Sequence, residues 1–575
     1  MSFPAMSSTR SAPLPRPRLG LNPLWGLWAV ALVLLLPGLG AAPLFDWDEI
    51  IYAEAAREMV LSGDWLTPQH GLEPFAEKPP LVFWMMALSY KLLGVSAFSA
   101  RLVNVLAGLF TLGLVYAGGR KLGDQRLGVY WGLLWLAGLT TQFYFRTALL
   151  DPWFNALTFL ALGLTFLAFH PNKKPHNRTR EVLLLLAAGV VLGLAVLSKG
   201  LPPGLVAGLT ALLGGVWTGV SFKRLIWGGM LVGLVAVCVA GSWYGALYLN
   251  GQEDFIAANL SYQVGLARTP FAGMKGFPGF HVVVLLVGCL PFSLLGFSGF
   301  FQKFNCDSPA QLKAFHRWMV VLTLVVLVVY ELVSTKYVPY AALAWFPLSF
   351  LAAHGVWRST QSQFSTRWPV RLHLGGLALL TALLLLPLLF VILKSGLLRH
   401  IPDLTFQEQW AAPVEHPEIL ALPGLLLLGV VLWTARQVRR QPLQDRVLVV
   451  GWLGSALAVS LSASLLIPLI HARTQGPVVH WLEQDQQARI YVQHKSFAPA
   501  WFTRQEQPDP AHQQNPEAPW RVVLNPEQAE PTFVIVHAYR AEAFAQEHPN
   551  FHLADRAPGY RLFARNGLID SQKAD

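Results

Sequence analysis

Charged residues are scarce in this sequence. Only 13% of its 575 residues are Asp, Glu, Lys or Arg, whereas a soluble protein usually carries about 25%. Hydrophobic residues make up 54% of the chain, and the mean hydropathy is +0.44. Apolar stretches of about 20 residues, each long enough to cross a hydrocarbon core of roughly 30 Å, recur along most of the sequence. The composition therefore excludes an ordinary soluble protein and indicates a polytopic membrane protein.

Cysteine is also rare. The three cysteines, Cys238, Cys289 and Cys306, form no Cys-x-x-Cys motif and no Cys/His cluster, so we predict neither a disulfide nor a zinc-finger-type site. The net charge is +11, but the basic residues lie in short loops between apolar stretches, where they set membrane topology. We therefore do not expect a nucleic acid partner.

The predicted fold is that of an all-α polytopic membrane protein with about thirteen transmembrane helices. The stretch 79–97 is left out of this count, because it starts with two prolines and holds Lys91, which would be costly at a bilayer centre. We place it at the outer surface. The predicted spans are 23–41, 101–120, 127–144, 153–170, 182–198, 201–220, 225–248, 280–301, 318–334, 337–357, 372–395, 419–435 and 447–470.

With this count, the basic loops all fall on the side of the N-terminus, which the positive-inside rule assigns to the cytoplasm. The basic tail 1–22 is then cytoplasmic, and a transmembrane domain covers 23–470. The first apolar stretch could also be a signal peptide, but it is longer than the usual apolar region of one, so we interpret it as an uncleaved span. The first outer loop, 42–100, is long and charged. Residues 471–575 predict a small outer α/β domain, with strand-like runs at 488–492, 521–524, 532–536 and 560–564.

Acidic residues begin directly after the first predicted span, in the segment DWDEIIYAEAAREM (46–59). Its apolar and aromatic spacing predicts an interfacial amphipathic helix. Asp48 would lie near the helix N-terminus, where the helix dipole stabilises an anion. The alternative is that Asp48 caps the helix and the other acids form a solvated face.

An acid and a base stand side by side in the segment PFAEKPP (74–80). The two prolines predict a rigid turn that directs both side chains. Glu77 is a candidate ligand for a metal or a donor sugar, and Lys78 is a compact cation suited to a phosphate. A surface ion pair at a helix start is the alternative.

Further charged residues fall at the outer ends of predicted spans. Asp151 is costly there unless it is paired or liganded, and Arg146 is one candidate partner. Lys199 and Lys336 face outward against the positive-inside trend, which suits a lipid phosphate, although snorkelling is the alternative. Together these residues predict chemistry on a lipid-linked anionic substrate. The carboxylates would act as a base or as oxygen ligands of a divalent metal, and the cations would stabilise a departing phosphate.

The first outer loop resembles that of the 4-amino-4-deoxy-L-arabinose transferase family, part of the dolichyl-phosphate-mannose-protein mannosyltransferase group with the GT-C fold. The resemblance covers roughly residues 23–360. The matching segments are DExxYAExxREM (48–59), SGDW (62–65), PFxEKPPLxxW (74–84), LDP (150–152), SKG (198–200) and SxKxxPY (334–340).

This resemblance implies a transferase that uses a polyprenyl-phosphate sugar, with undecaprenyl phosphate as the carrier in a bacterium. Asp48 would be the catalytic carboxylate, and we take the adjacent Glu49 as a second catalytic candidate. Lys78 would meet the carrier phosphate. Glu77 and Asp151 would match the acids of a divalent metal site.

Other residues of the matching segments complete the candidate site. In the loop 249–279, the arabinose-modifying members are expected to carry a metal-ligating histidine and a phosphate-binding arginine. This loop contains Arg268 but no histidine. The further phosphate-binding candidates are Lys336, Arg268 and Arg57, and the remaining site candidates are Lys199, Tyr340 and Tyr52.

The predicted function is inverting transfer of a sugar from a polyprenyl-phosphate carrier to an envelope acceptor such as lipid A or lipopolysaccharide. The expected partners are the carrier, a lipid or glycan acceptor and membrane lipids. Within the enzyme class, the alternative is O-glycosyl or mannosyl transfer to a protein or another glycan. A lipid flippase or transporter would instead carry charges inside its spans and show repeat symmetry between its halves.

Overall fold

The computed structural model describes residues 22–566, apart from 71–72, 171–176, 269–275, 303, 305–307, 362–366, 441–443, 485–489, 493–495, 497 and 503–532. The predicted tail 1–22 therefore lies almost wholly outside the described residues, as does the strand-like run at 521–524. The described chain is mostly helical and ends in a small sheet.

The helices follow one another closely along the chain. In order they are α1 (Pro23–Leu35), α2 (Asp48–Ser62), α3 (Leu81–Leu93), α4 (Ala97–Leu122), α5 (Gln125–Ala137), α6 (Leu139–Tyr144), α7 (Asp151–Phe169), α8 (Arg178–Lys199), α9 (Pro202–Trp217), α10 (Phe222–Leu249), α11 (Glu253–Arg268), α12 (Phe280–Gly288), α13 (Ser293–Ser298), α14 (Ala310–Leu332), α15 (Trp345–Gln361), α16 (Arg367–Leu397), α17 (Leu404–Ala411), α18 (Leu422–Arg440), α19 (Asp445–Thr474), α20 (Gly476–Gln484), α21 (Ala498–Phe502) and α22 (Ala541–Glu547).

Eight described helices are long and apolar enough to cross a membrane: α4, α7, α8, α10, α14, α16, α18 and α19. Each coincides with a predicted span. Their outward faces are apolar, as on α10, where Met230, Leu234 and Val237 are exposed. Such a surface suits contact with lipid rather than with water. The chain is therefore a multi-pass membrane protein.

The other five predicted spans are shorter or interrupted. The stretch 280–301 forms α12 and α13, which meet at a bend of 118° and give a ninth candidate span if counted as one. Pro291 lies in this bend, where a proline removes a backbone donor. Gly138 separates α5 from α6, and a 3-10 turn, Val338–Ala344, precedes α15. The remaining two are the short helices α1 and α9.

The first outer loop contains two helices, α2 and α3. Helix α3 has 13 residues, which is about 20 Å at the usual rise and shorter than a bilayer core. Helix α2 is buried on all sides from Glu49 to Met59. The idea that its acidic residues form a solvated face is therefore wrong, because Glu54 and Glu58 are inside the protein.

The C-terminal part contains a four-stranded sheet. Its strands run in the order β3 (Ile490–Val492), β4 (Phe533–His537), β6 (Tyr560–Arg565) and β5 (Phe551–Ala557), and only the β3–β4 pair is parallel. These strands agree with three of the four predicted runs. The sheet is tied to α17, where Glu408 accepts hydrogen bonds from Arg561 at 2.7 Å and from the Gly559 N–H at 2.9 Å. A two-stranded ladder in the first outer loop pairs β1 (Gln69–His70) with β2 (Glu73–Pro74).

Candidate active site

Asp48 stands at the first turn of α2 and is partly exposed. The Tyr337 hydroxyl donates a hydrogen bond to its Oδ2 at 3.0 Å. Burial raises the pKa of Asp48 above its usual value, although the positive charge of Lys78 and the Tyr337 hydrogen bond act in the opposite direction. Asp48 is therefore a carboxylate held by one defined donor and open on another side.

Lys78 is buried beside Asp48, in the turn that precedes α3. Its Nζ donates a hydrogen bond to the Tyr262 hydroxyl at 3.1 Å and lies 4.3 Å from the centre of the Tyr262 ring. The carboxylate of Glu77 is 3.8 Å away. Burial lowers the pKa of Lys78, while Glu77 acts in the opposite direction. An anionic ligand at this lysine would therefore stabilise its charged form.

Helix α11 holds the turn that carries Lys78, a feature that the sequence did not reveal. Asn259 Nδ2 donates to the Ala76 carbonyl at 2.8 Å, and Gln263 Nε2 donates to the Glu77 carbonyl at 3.3 Å. Asn259, Tyr262 and Gln263 are spaced i, i+3 and i+4, so they share one helix face. This spacing is the only sequence signal that could have found them.

Asp151 and Lys199 form a second charged pair, between the first turn of α7 and the last turn of α8. Lys199 Nζ also lies 5.2 Å from the centre of the Tyr340 ring. The proposed pairing of Asp151 with Arg146 is wrong. Arg146 instead donates to Ser460 and to the Leu34 carbonyl, in the packing between α6, α1 and α19.

Tyrosines surround these charges. Tyr52 on α2 is buried and packs on Phe83, with ring centres 5.9 Å apart. Burial raises the pKa of Tyr52, and the neighbouring charges of Asp48 and Asp151 raise it further. Tyr337 and Tyr340 are 5.5 Å apart. The structure therefore brings together seven of the candidate residues, Asp48, Lys78, Glu77, Asp151, Lys199, Tyr52 and Tyr340, and adds Tyr262 and Tyr337 to the group.

Two other candidates, Glu49 and Arg57, form ion pairs with other residues. Glu49 pairs with Arg101 of α4 at 2.8 Å. Burial alone would raise the pKa of Glu49, but Arg101 and two backbone N–H groups hold the pKa below its usual value. Arg57 pairs with Glu54 and lies 5.7 Å from the centre of the Trp501 ring in α21. Both side chains thus have partners outside the Asp48–Lys78 group.

The last two phosphate-binding candidates lie at the end of α11 and just after α14. Lys336 Nζ donates to the carbonyls of Val333 and Tyr330 at 3.1 and 3.3 Å and lies 3.8 Å from Glu331. It therefore stabilises the C-terminal end of α14, where unpaired carbonyls favour a cation. Arg268 is the last residue of α11, and its side chain lies outside the described residues.

The residues predicted to bind a metal do not form a ligand set. Glu77 lies beside Lys78 and Asp151 is paired with Lys199. Within the described ranges, no three His, Cys, Asp or Glu side chains converge on a point that could hold an ion. The charges that these carboxylates meet are lysines, so we derive no reaction step through a metal.

A large apolar cavity adjoins the site on the Tyr337 side. Its volume is about 730 Å³, within the usual range for ligand pockets. It is lined by Tyr337 and the following 3-10 turn and by residues of α6, α12, α16 and α19, such as Phe143, Leu384 and Leu466. Neither Lys78 nor Lys199 lines it. Tyr337 therefore touches Asp48 with its hydroxyl group and borders an apolar space.

A family profile matches part of this sequence, and individual relatives match larger shares of it. The profile of the family described as dolichyl-phosphate-mannose-protein mannosyltransferase matches residues 77–243. The chain is 29% identical, over 76% of each chain, to undecaprenyl phosphate-alpha-4-amino-4-deoxy-L-arabinose arabinosyl transferase 1 of Pseudomonas fluorescens strain Pf-5. It is 28% identical to the corresponding enzyme of Pseudomonas aeruginosa strain UCBPP-PA14, over 58% of this chain and 59% of that enzyme.

Solved structures show the same fold. The structure of ArnT from Cupriavidus metallidurans bound to undecaprenyl phosphate aligns with a TM-score of 0.75 at 18% identity, covering 96% of this chain and 99% of that one. The apo form of that protein aligns with a TM-score of 0.73 over 94% and 97%. The chain is thus similar in sequence to membrane glycosyltransferases that depend on lipid-phosphate sugars, and it has the GT-C fold of ArnT.

Proposed function

We propose that this protein transfers a sugar from a polyprenyl-phosphate carrier, in a bacterium undecaprenyl phosphate, to an envelope lipid such as lipid A or lipopolysaccharide. The observation that carries the proposal is the grouping of Asp48 with Lys78 and the Asp151–Lys199 pair beside an apolar cavity. The similarity to the arabinosyl transferases, whose name states an undecaprenyl phosphate sugar, supports the carrier.

The lysines have the chemistry needed at the carrier phosphate. Lys78 is buried, and its Nζ is directed by Tyr262 rather than exposed to bulk water. A buried cation stabilises negative charge more strongly than an exposed one, because the surroundings screen it less. We place the carrier phosphate at Lys78, with Lys199 close enough to add a second positive charge. The developing charge on the leaving phosphate then meets fixed cations.

Asp48 has the chemistry needed at the acceptor. The acceptor oxygen attacks the anomeric carbon, and the bond from that carbon to the carrier phosphate oxygen breaks. A hydroxyl acceptor passes its proton to the Asp48 carboxylate, whereas a phosphate acceptor needs only to be positioned by it. A single displacement forms no covalent intermediate with the protein, so the configuration at the anomeric carbon inverts.

The cavity supports a lipid acceptor over a protein or a free glycan. In a space lined almost wholly by apolar side chains, binding of hydrocarbon is more favourable than binding of a polar sugar or peptide. With the phosphate at Lys78, the cavity on the Tyr337 side of Asp48 receives a chain of the acceptor. The acceptor's polar head group would then lie at Asp48.

We further propose that the N-terminus is cytoplasmic and that the site and the C-terminal sheet face the periplasm. The distribution of basic loops supports this orientation. Among the described residues, the charges discussed here gather at helix ends and in loops rather than along the spans, which favours an enzyme over a flippase.

The test is transfer in reconstituted membranes. Radiolabelled undecaprenyl-phosphate sugars would be supplied to wild type and to Asp48→Asn, and lipid, glycan and protein fractions would be extracted separately. We expect label in the lipid fraction with wild type only. Label in the protein fraction would reject the lipid acceptor, and carrier movement across the bilayer without transfer would reject the enzyme.

A further inference from the structure

Arg101 uses its whole guanidinium group for contacts inside the protein. It lies on α4 and is 2% exposed. Its Nη1 donates to the carbonyls of Leu39 and Ala42 at 3.0 and 2.7 Å, and its Nη2 donates to the Pro43 carbonyl at 2.9 Å. Its Nε and Nη2 donate to Glu49 at 3.0 and 2.8 Å. An arginine has five N–H donors, and all of them are satisfied.

Glu49 is equally saturated. Its Oε1 accepts from Arg101 Nε and from the Ala148 N–H at 2.7 Å. Its Oε2 accepts from Arg101 Nη2 and from the Phe45 N–H at 2.9 Å. A carboxylate offers about four acceptor positions, and each is filled within the protein. Glu49 therefore has no oxygen lone pair left for a substrate, although it is adjacent to Asp48 in the sequence.

These contacts join the two helix starts that carry the site carboxylates. Glu49 belongs to the first turn of α2, next to Asp48, and its partner Ala148 is three residues before Asp151 at the start of α7. Asn104 lies one turn beyond Arg101 on the same face of α4. Its Nδ2 donates to the carbonyls of Thr147 and Leu149, both at 2.7 Å. One face of α4 thus holds both segments by their backbones.

The backbone just before Asp48 needs such support. Trp47 has a φ of +74°, a conformation that is unfavourable for a residue with a bulky side chain and persists only where the surroundings enforce it. The preceding Asp46 N–H donates to Gln475 Oε1 at 3.0 Å. Glu49 and Arg101 hold the chain on both sides of this residue. Strain of this kind concentrates at functional sites.

We propose that Glu49, Arg101 and Asn104 are positioning residues that fix Asp48 relative to Asp151 for the transfer reaction. The inference rests on the proposed function and replaces the catalytic role predicted for Glu49. A displacement of about 1 Å at a reacting group can reduce turnover by about 100-fold. The set therefore acts on kcat through Asp48, without touching the carrier.

The test compares Glu49→Gln and Arg101→Lys with a variant of another ion pair, in which the glutamate is buried and the arginine is half-buried. Glu181 pairs with Arg224, which also donates to the carbonyls of Phe169 and Ala168, so Glu181→Gln removes the same kind of contact at the opposite ends of α7 and α8. The thermal midpoint, kcat and the KM for the carrier would be measured on purified protein in nanodiscs. Asn104→Ala, which removes no charge, serves where a charged-pair variant fails to fold.

We expect Glu49→Gln and Arg101→Lys each to lower kcat by about 100-fold, with KM within about twofold of wild type. The double variant should be little worse than either single variant, because both break one unit. Glu181→Gln should lower the thermal midpoint and leave kcat within about twofold of wild type. Asn104→Ala should lower kcat in the same direction.

Two results would overturn the inference. If both site variants match Glu181→Gln, with lower stability and unchanged kcat, the pair is structural only. If Glu49→Gln is as inactive as Asp48→Asn while Arg101→Lys keeps wild-type kcat, Glu49 is itself a reacting group. An inactive wild type or an active Asp48→Asn would instead reject the proposed function, so the two failures are distinguishable.

Discussion

The hydrogen bond from Tyr337 to Asp48 gives a sharp prediction about pH dependence. In Tyr337→Phe the ionised carboxylate loses the donor that now lies 3.0 Å from Oδ2. A hydrogen bond to a charged group contributes about 1.5–3 kcal/mol, and one pKa unit corresponds to about 1.4 kcal/mol. Complete loss of this hydrogen bond would therefore raise the pKa of Asp48 by about 1–2 units. Since Asp48 is partly exposed and water can replace the donor, we expect an increase of about one unit.

The sign follows from the active form of Asp48. The carboxylate works ionised, so kcat/KM falls as the pH decreases through its pKa in the free enzyme. The raised pKa in Tyr337→Phe moves this acidic limb to higher pH, while activity on the alkaline side of it changes little. The assay is transfer of labelled sugar at saturating acceptor and limiting carrier, followed across the acidic limb.

Tyr330→Phe is the matched control. Tyr330 stacks on Tyr340 with ring centres 5.0 Å apart, and in the described part of the chain no hydrogen bond joins it to Asp48. The acidic limb of the pH profile of Tyr330→Phe should coincide with that of wild type. An acidic limb that does not move in Tyr337→Phe, or that moves in both variants alike, would refute Asp48 as the titrating group.

Three further predictions concern the phosphate, the cavity and the metal. Lys78→Gln should lower kcat/KM for the carrier by about 100-fold, because a cation at the leaving phosphate is lost. Tyr262→Phe should lower kcat/KM only by about tenfold, because the lysine remains but loses its hydrogen bond. Equal effects in the two variants would contradict direct contact between Lys78 and the phosphate. Leu386→Trp should reduce transfer to a long-chain lipid acceptor, because the larger side chain fills the cavity that Leu386 lines. Leu379→Trp, on the same helix but outside the lining, should leave this transfer unchanged. Equal rates in the two variants would show that the cavity does not bind the acceptor. Dialysis against a chelator should leave transfer unchanged and the protein's metal content substoichiometric by mass spectrometry, because Glu77 and Asp151 meet lysines; activity lost to the chelator and restored by zinc or manganese would contradict this.

The parts of the fold that follow from local composition could be predicted. In the described part of the chain, eight long apolar helices lie where the apolar stretches are, because the length of such a stretch is set by the bilayer. The breaks within the other predicted spans were not predicted. The sequence 280–301 is apolar throughout, and Pro291 alone does not distinguish a kinked span from a bend of 118°.

The candidate site was predicted as a set of residues but not as a set of contacts. The acids and lysines near the outer ends of the spans were candidates for one site, but Lys336 lies instead at the end of α14, beside Glu331. The partners of these side chains are set by tertiary packing, so Asp151 pairs with Lys199 and not with Arg146, which is closer to it in sequence. Glu49 was assigned to the chemistry because it adjoins Asp48, yet Arg101, 52 residues away, occupies it. Sequence distance carries no information about such a pair.

The charge of the site is suited to the change that the reaction makes. A sugar linked to a carrier phosphate is a diester with one negative charge, and the released carrier is a monoester that gains most of a second charge near neutral pH. Lys78 and Lys199 are already paired with Glu77 and Asp151 in the free protein. The gain in attraction therefore comes as the bond breaks and the phosphate competes with the carboxylates for the lysines. Interactions that strengthen between the ground state and the transition state are those that accelerate a reaction. Asp48, held by Tyr337 and not by a lysine within hydrogen-bond distance, remains available to the acceptor while the lysines exchange partners.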